Sequence, residues 1–223
     1  MNLGEETLSK LAQDIANYDW EGCYESCFKF LYGLPSRLQL DCTVYLVKRY
    51  LPIFEANRPK ATWAKLLVNA PEKWLKEKGL KIPTSRSKER PAEAGFITSV
   101  DHLLSAYKTQ NNRLGTTSAC TSAIIAVIGA HMSNVWEADD PEAVMIWKTL
   151  SNVDDPDNLT KAAETLSGRT LFDNVASCAV AEREWTVLLR RFREESTYST
   201  PETEELEQAV EIWKEQGMFP IQQ

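Results

Sequence analysis

The feature that most constrains the fold is a run without a formal charge, from Leu114 to Trp136, in a chain whose residues are 26% charged. The run reads LGTTSACTSAIIAVIGAHMSNVW. Its length suits a membrane-spanning helix, but it is rich in Ser, Thr, Ala and Gly where such a span is rich in Leu, Phe and Val. Small side chains let neighbouring helices approach closely. The sequence therefore predicts a helix enclosed by other helices, and no membrane association.

Apolar residues recur at helical spacing along nearly the whole chain. Leu8, Leu11 and Ile15 follow one another at intervals of three and four residues. Only nine glycines and ten prolines are present, which leaves little room for the many turns of an all-β protein. The pattern predicts an all-α fold, either a multi-helix bundle or a short solenoid-like array of about 9–10 helices.

Prolines and glycines indicate where the helices end. We expect a long helix from Ser36 to bend or end at Pro52, and a later helix to break or restart at Pro71 and to end at Gly79. Another long helix is predicted from Thr170 to about Glu195.

The best candidate for a linker is residues 80–92, LKIPTSRSKERPA, a polar segment with two prolines and four basic residues. It would separate an N-terminal helical half, 1–79, from a C-terminal acidic helical half, 93–223. The alternative is one continuous domain in which the two halves pack closely.

The net charge of −7 is unevenly distributed. Residues 1–90 carry +4, from 15 basic and 11 acidic residues, whereas residues 91–223 carry −11, from 10 and 21. This acidic excess argues against nucleic-acid binding and can steer a basic protein partner, or it can be a solvated surface that aids solubility. Among the seven tryptophans, Trp136 is the best candidate for an exposed anchor because it ends the uncharged run beside the acidic clusters, with a core position as the alternative. The predicted partner-binding residues are Trp136, Glu137, Asp139, Asp140, Glu142, Asp154, Asp155 and Asp157.

Residues suited to catalysis or metal binding form no recognisable pattern. Neither His102 nor His131 has a carboxylate three or four positions away, so no Glu-x-x-His ligand pair is built. His131, within the apolar run, is expected to be a hydrogen-bonded core residue. The five cysteines lie in apolar helical contexts, and the N-terminus has no apolar signal segment. These observations favour a cytoplasmic protein with reduced thiols and predict no catalytic residue, cofactor or metal.

Three segments, in order, resemble an all-helical family of immunity proteins from bacterial polymorphic toxin systems. The first, Val44–Ala64, carries a leucine-proline-apolar-Phe-Glu step and then Arg58-Pro59. The second is the uncharged SACTSAIIAVIGAHMSNVW, which is similar to that family's Ala-rich central helices. The third, VASCAVAEREWTVLLRRF at Val175–Phe192, is similar to its closing helix.

The resemblance implies a cytoplasmic protein that neutralises a cognate toxin by tight binding, without chemistry of its own. The acidic second half would suit a basic toxin such as a nuclease. Two other functions stay open: a helical adaptor or scaffold of the solenoid kind, and an enzyme of unrecognised type. A concave polar surface would favour the scaffold. A deep pocket joining His102 or His131 to a cysteine or carboxylate would favour the enzyme.

Limited trypsin digestion tests the predicted linker. Exposed polar segments are the preferred sites of proteolysis, so the first cuts should follow Lys81, Arg86 or Lys88. The sites are identified by mass spectrometry of the earliest fragments. Resistance of this segment, with earlier cutting elsewhere, would contradict the linker.

Overall fold

The computed structural model describes residues 3–83, 90–150, 168–195 and 198–216, with only the backbone described for 147–150. Over these ranges the chain forms ten α-helices and no strand, so the predicted all-α multi-helix fold is confirmed. The helices are α1 (Leu3–Ala16), α2 (Trp20–Tyr32), α3 (Ser36–Asn57), α4 (Thr62–Asn69), α5 (Pro71–Lys78), α6 (Pro91–Lys108), α7 (Arg113–Asp139), α8 (Pro141–Leu150), α9 (Val175–Glu194) and α10 (Thr203–Glu215).

Helix α7 contains the uncharged run and lies at the centre of the fold, in contact with α2, α3, α6 and α9. Ala123, Ile124 and Val127 are fully buried within it. By length and composition α7 could cross a membrane, yet 78% of its most apolar window is buried inside the protein. The predicted enclosure of this helix by other helices is confirmed.

The packing of α6 on α7 depends on small residues. A Cβ placed on Gly95 of α6 would lie 3.2 Å from the Cα of Ala130 and 3.3 Å from the carbonyl oxygen of Ala126. That separation is tighter than ordinary van der Waals contact, so a larger residue at Gly95 would push the helices apart. Some hydroxyl groups of α7 are accommodated by internal hydrogen bonds, as where the Thr117 hydroxyl donates to Gln39 Oε1 at 3.1 Å, whereas the buried hydroxyls of Ser118 and Thr121 have no such bond among the described residues.

The predicted helix breaks are confirmed at Pro71 and Gly79, whereas at Pro52 the helix does not end. A one-residue gap at Ala70 separates α4 from α5, with Pro71 in the first turn of α5, and Gly79 ends α5 with a φ of +64°. Helix α3, however, continues past Pro52 to Asn57. Its apolar face explains the continuation, because Leu51 and Phe54 on either side of the proline are both buried in the core.

Helices on the two sides of the predicted linker contribute to one hydrophobic core. Tyr50 of α3 stacks on Phe96 of α6 with ring centroids 5.3 Å apart, and Phe30 of α2 stacks on Phe192 of α9 at 4.5 Å. Residues 84–89 lie outside the described residues, while Lys81 before them is exposed. The division into two halves stays a prediction, with the core spanning both.

A buried carboxylate connects α3 to α9. Glu184 is 0% exposed, and its two oxygens accept hydrogen bonds from Arg49 at 2.7 and 3.2 Å and from Arg183 at 3.0 Å. Burial raises the pKa of Glu184, but the hydrogen bonds from Arg49 and Arg183 and the attraction of nearby positive charge together outweigh it, and the pKa falls below its ordinary value. Glu184 is therefore an ionised group held by a two-pronged guanidinium contact.

A second buried carboxylate fixes the start of α6. Glu93 accepts hydrogen bonds from Arg58, at the end of α3, at 2.7 and 3.0 Å, and from Arg90 at 3.0 and 3.3 Å. Arg58, part of the Arg-Pro step in the first resembling segment, therefore holds α3 against α6 in this structure.

Replacing Glu184 with Ala should lower the free energy of unfolding by about 3 kcal/mol, since Arg49 loses its buried counter-charge. We expect the lower part of the range for broken buried pairs because a third of the Arg49 side chain stays exposed to water. Urea denaturation measures the change. The control, exposed Glu211→Ala, should shift stability by no more than about 0.5 kcal/mol. Equal effects of the two variants would contradict a stabilising role for Glu184.

Candidate partner-binding site

A surface cleft of about 550 Å³, hereafter the acidic cleft, lies between the end of α7, the loop 168–174 and the start of α9. Three predicted partner-binding residues line it: Trp136, Asp139 and Asp140. The loop adds Arg169 and Asp173, which the charge analysis of the sequence did not single out. The acidic residues at the end of α7 thus lie close to a loop that follows α8 in the chain.

The expectation of an exposed Trp136 is wrong. Its side chain is 2% exposed and packs with Ala143, Val144 and Leu171 in a small satellite core. The indole Nε1 donates a hydrogen bond of 2.9 Å to the carbonyl oxygen of Arg169. A buried indole with a satisfied N–H is a structural residue, and here it holds the loop against α7.

Glu137 is also committed to the fold. Its Oε1 accepts a hydrogen bond of 2.8 Å from the backbone N–H of Ala92, in the first turn of α6, and its Oε2 lies 3.6 Å from Arg90. Helix N-termini favour such acceptors because their first N–H groups have no partner within the helix. Glu137 therefore has a role within the fold, and its contact with a partner stays a prediction.

Asp140 and Glu142 share one guanidinium. Arg169 donates to Asp140 at 2.7 and 2.9 Å and to Glu142 at 3.0 Å. Asp140 also accepts from the backbone N–H of Ala143 at 3.0 Å, in the first turn of α8. The hydrogen bond from Arg169, followed by that from Ala143, lowers the pKa of Asp140 below its usual range. Arg169 thus neutralises part of the negative charge that the sequence places here.

Asp139 and Asp173 are the acidic residues at this cleft most available to a partner, and Glu142 lies beside it with one oxygen bonded to Arg169. All three are exposed. Asp139 accepts from Asn174 Nδ2 at 2.5 Å, and Asp173 accepts from the backbone N–H and hydroxyl of Thr170 at 3.0 and 2.7 Å. Because these donors are neutral, they hold the carboxylates of Asp139 and Asp173 in place without offsetting their negative charge. The remaining predicted residues, Asp154, Asp155 and Asp157, lie outside the described residues.

The loop that carries Asp173 was predicted to be helical. Helix α9 begins at Val175 rather than Thr170, so that prediction is wrong at its N-terminal end. Two local hydrogen bonds explain the late start: Asp173 binds back to Thr170, and Asn174 caps α9 by accepting from the Ser177 N–H at 2.8 Å. Asn174, a preferred N-cap residue directly before Val175, is the local signal that could have identified this helix start.

Two exposed apolar side chains flank these acids. Phe172 is 48% exposed and Val175 is 83% exposed. Val175 lines the acidic cleft, whereas Phe172 lines a second, largely apolar cleft on the other side of the loop. Apolar contacts surrounded by charged groups are the usual composition of a protein-binding surface.

The two histidines differ in their surroundings. His131 is 5% exposed and packs edge-on against Tyr50, and its Nε2 is 4.0 Å from Glu184 Oε2. Burial lowers the pKa of His131 to about 4, against the opposing influence of Glu184, so the ring is neutral at pH 7. His102 lines the second cleft, whose described lining holds no cysteine, aspartate or glutamate.

The cysteines are mostly inaccessible. Cys23, Cys27, Cys42 and Cys120 are buried, and burial raises the pKa of each thiol. A thiolate nucleophile needs the opposite shift. In the part of the chain that the structure describes, no group of three or more His, Cys, Asp or Glu side chains could hold a metal ion.

Comparisons of the chain with protein-family models, with curated proteins and with solved structures find no match. The resemblance to immunity proteins therefore rests on the three sequence segments.

Stability should fall as pH falls from 6.5 towards 4 because of His131. The unfolded histidine takes up a proton near pH 6.5, whereas the folded one does so only near pH 4, so protonation favours the unfolded state in this window. Over the whole window the loss from this group is about 3 kcal/mol. Urea denaturation at pH 7, 5.5 and 4.5 should show a flatter pH dependence for His131→Gln. The control His102→Gln keeps His131 and should keep the wild-type slope, and equal slopes for all three proteins would contradict the assignment.

Proposed function

We propose that this protein is a non-enzymatic protein-binding protein, specifically an immunity protein that neutralises a cognate bacterial toxin by occluding it. The observation that carries the proposal is the position of the exposed Asp139 and Asp173 in one cleft, near the exposed Phe172 and Val175. The cytoplasm is the proposed compartment, which agrees with five unpaired cysteines.

The rigidity of the surface supports this function. Trp136 and Arg169 hold the loop 168–174 against α7 and α8, and Asn174 fixes the first turn of α9. A surface that is already ordered loses little conformational entropy on binding, which favours a slowly dissociating complex. Inhibition by occlusion needs a complex of that kind.

The charge of the surface supports a basic partner. Asp139, Asp140 and Asp173 line the cleft with Arg169, whose guanidinium pairs with Asp140 and with Glu142 beside the cleft, so the charge balance of the described residues here is negative. Negative potential steers a positively charged protein and raises its association rate. Many toxins that act on nucleic acids are basic for the same electrostatic reason, since their substrate is a polyanion.

A helical adaptor is the second candidate. The apolar cleft beside Phe172, with His102 and Trp20 in its lining, has the concave form that suits binding a segment of another protein. An enzymatic role has no comparable support from the arrangement of His102, His131 and the thiols.

The test uses the protein encoded by the neighbouring gene as the probe. Its toxicity on induction in a bacterial host should be suppressed by co-expression of this chain. The purified pair should associate several-fold more slowly at low salt when Asp139, Glu142 and Asp173 become Asn, Gln and Asn, with a weaker salt dependence. The matched control changes Glu204, Glu207 and Glu211 of α10 to Gln, which removes the same charge from exposed positions elsewhere. Absence of binding, or equal slowing by both triple variants, would contradict the proposal.

A further inference from the structure

The apolar cleft, hereafter the α7 groove, has a volume of about 530 Å³. One face of α7 forms its floor, where the small residues Ser122, Ala126, Gly129 and Ser133 lie beside the larger Ile125, Ile128 and Met132. These four small residues follow one another at intervals of four, three and four, so they lie in one row along the helix. Gly95 and Thr98 of α6 line one side.

Aromatic side chains line the groove elsewhere. Trp20 and Tyr24 come from α2, Trp185 from α9, and Phe172 from the loop. Tyr18, next to α2, is 50% exposed and packs edge-on against Trp20 at 5.6 Å. Large rigid rings beside the row of small residues form a trough that is open to solvent, and such rings are the side chains most often found as anchors in protein interfaces.

Gly129 is the informative residue of the floor. It lies inside a 27-residue helix, where glycine is less favourable than alanine. Its counterpart Gly95 is explained by the close approach of Ala130. For Gly129, nothing among the described residues lies within 4 Å of an added Cβ. The described part of the chain thus gives no packing reason for this glycine, whereas a partner segment lying on the floor of the groove would gain a closer approach to the α7 backbone.

The charged residues near the groove indicate which side chains a bound partner segment would carry. The loop 168–174 separates the two clefts, with Phe172 in the α7 groove and Asp173 in the acidic cleft. On α7, Ser133 lines the groove and Trp136 the acidic cleft less than one turn later. One end of the groove therefore adjoins the acidic residues Asp139 and Asp173.

We propose that the α7 groove receives an α-helix of a partner protein, with its apolar face on α7 and with Lys or Arg side chains at one end that reach Asp139 and Asp173. A helix suits the row of small residues because two helices pack at about 8–10 Å only when the contacting side chains permit it. The inference rests on the proposed protein-binding function and names the element that is bound.

The experiment selects helices from a library displayed on a fixed helical scaffold, with the whole protein as bait. Selected helices should carry apolar residues at i, i+3 or i+4 and i+7, with basic residues clustered at one end. Gly129→Leu places a large side chain on the floor of the groove and should weaken binding of the selected helices roughly tenfold or more. The thermal unfolding temperature of this variant should stay at or above that of the wild type. Phe172→Ser removes an exposed ring from the rim of the groove and leaves the residues of its floor unchanged. This variant should also weaken binding of the selected helices. The matched control is Leu66→Ser, which removes another exposed apolar side chain, on α4.

Three results would overturn the inference: no enrichment over an unrelated bait, selected helices that bind Gly129→Leu as well as the wild type, or enrichment of acidic helices. A small molecule or a second copy of the chain in the groove would give the first result. The proposed function fails separately. If the neighbouring gene's product binds and is slowed by the Asp139, Glu142 and Asp173 changes but not by Gly129→Leu, the protein is an immunity protein that binds its toxin without the α7 groove.

Discussion

Close packing around α7 is the constraint on which the rest of the structure depends. A helix of this length can lie at the centre of a small protein only if its neighbours satisfy or exclude its polar groups. Some Ser and Thr hydroxyls do this by bonding to nearby carbonyls, as Thr116 does with Thr109 at 2.7 Å. Gly95 and Ala130 set how closely α6 approaches. The positions of α2, α3 and α9 follow, because each packs on a remaining face of the same helix.

Charge is used mainly to fix the ends of these helices. Glu93, Glu137 and Asp140 each contact the first turn of a helix or a nearby arginine. Glu184 joins the middle of two helices instead. A carboxylate paired with an arginine counts in the formal charge of its segment but adds little to the potential that an approaching partner meets, because the two opposite charges largely offset one another. The effective acidic surface of the second half is therefore smaller than its formal charge of −11 suggests.

Local signals in the sequence were sufficient for the fold and insufficient for the site. The predictions that hold are based on helical periodicity, on the length of the uncharged run, and on Pro71 and Gly79. Each of these signals depends only on residues close together in the chain. Trp136 was expected at the surface because it ends an apolar run beside acids. Its burial depends on Leu171 and on the Arg169 carbonyl, both of which are distant from it along the chain. Pairing of Arg169 with Asp140 is likewise a tertiary contact that charge counting along the chain does not reveal.

Because the core is shared, cutting the backbone between its two parts would not separate them. Aromatic pairs such as Tyr50 with Phe96 and Phe30 with Phe192 connect the residues before position 84 to those after position 89. The arginines at 58 and 90 add a polar connection through Glu93. The peptide bonds between the two parts are thus not what holds them together. A molecule nicked there would migrate as one particle under native conditions and separate into two pieces only in denaturant, and the two pieces expressed apart would assemble into one protein.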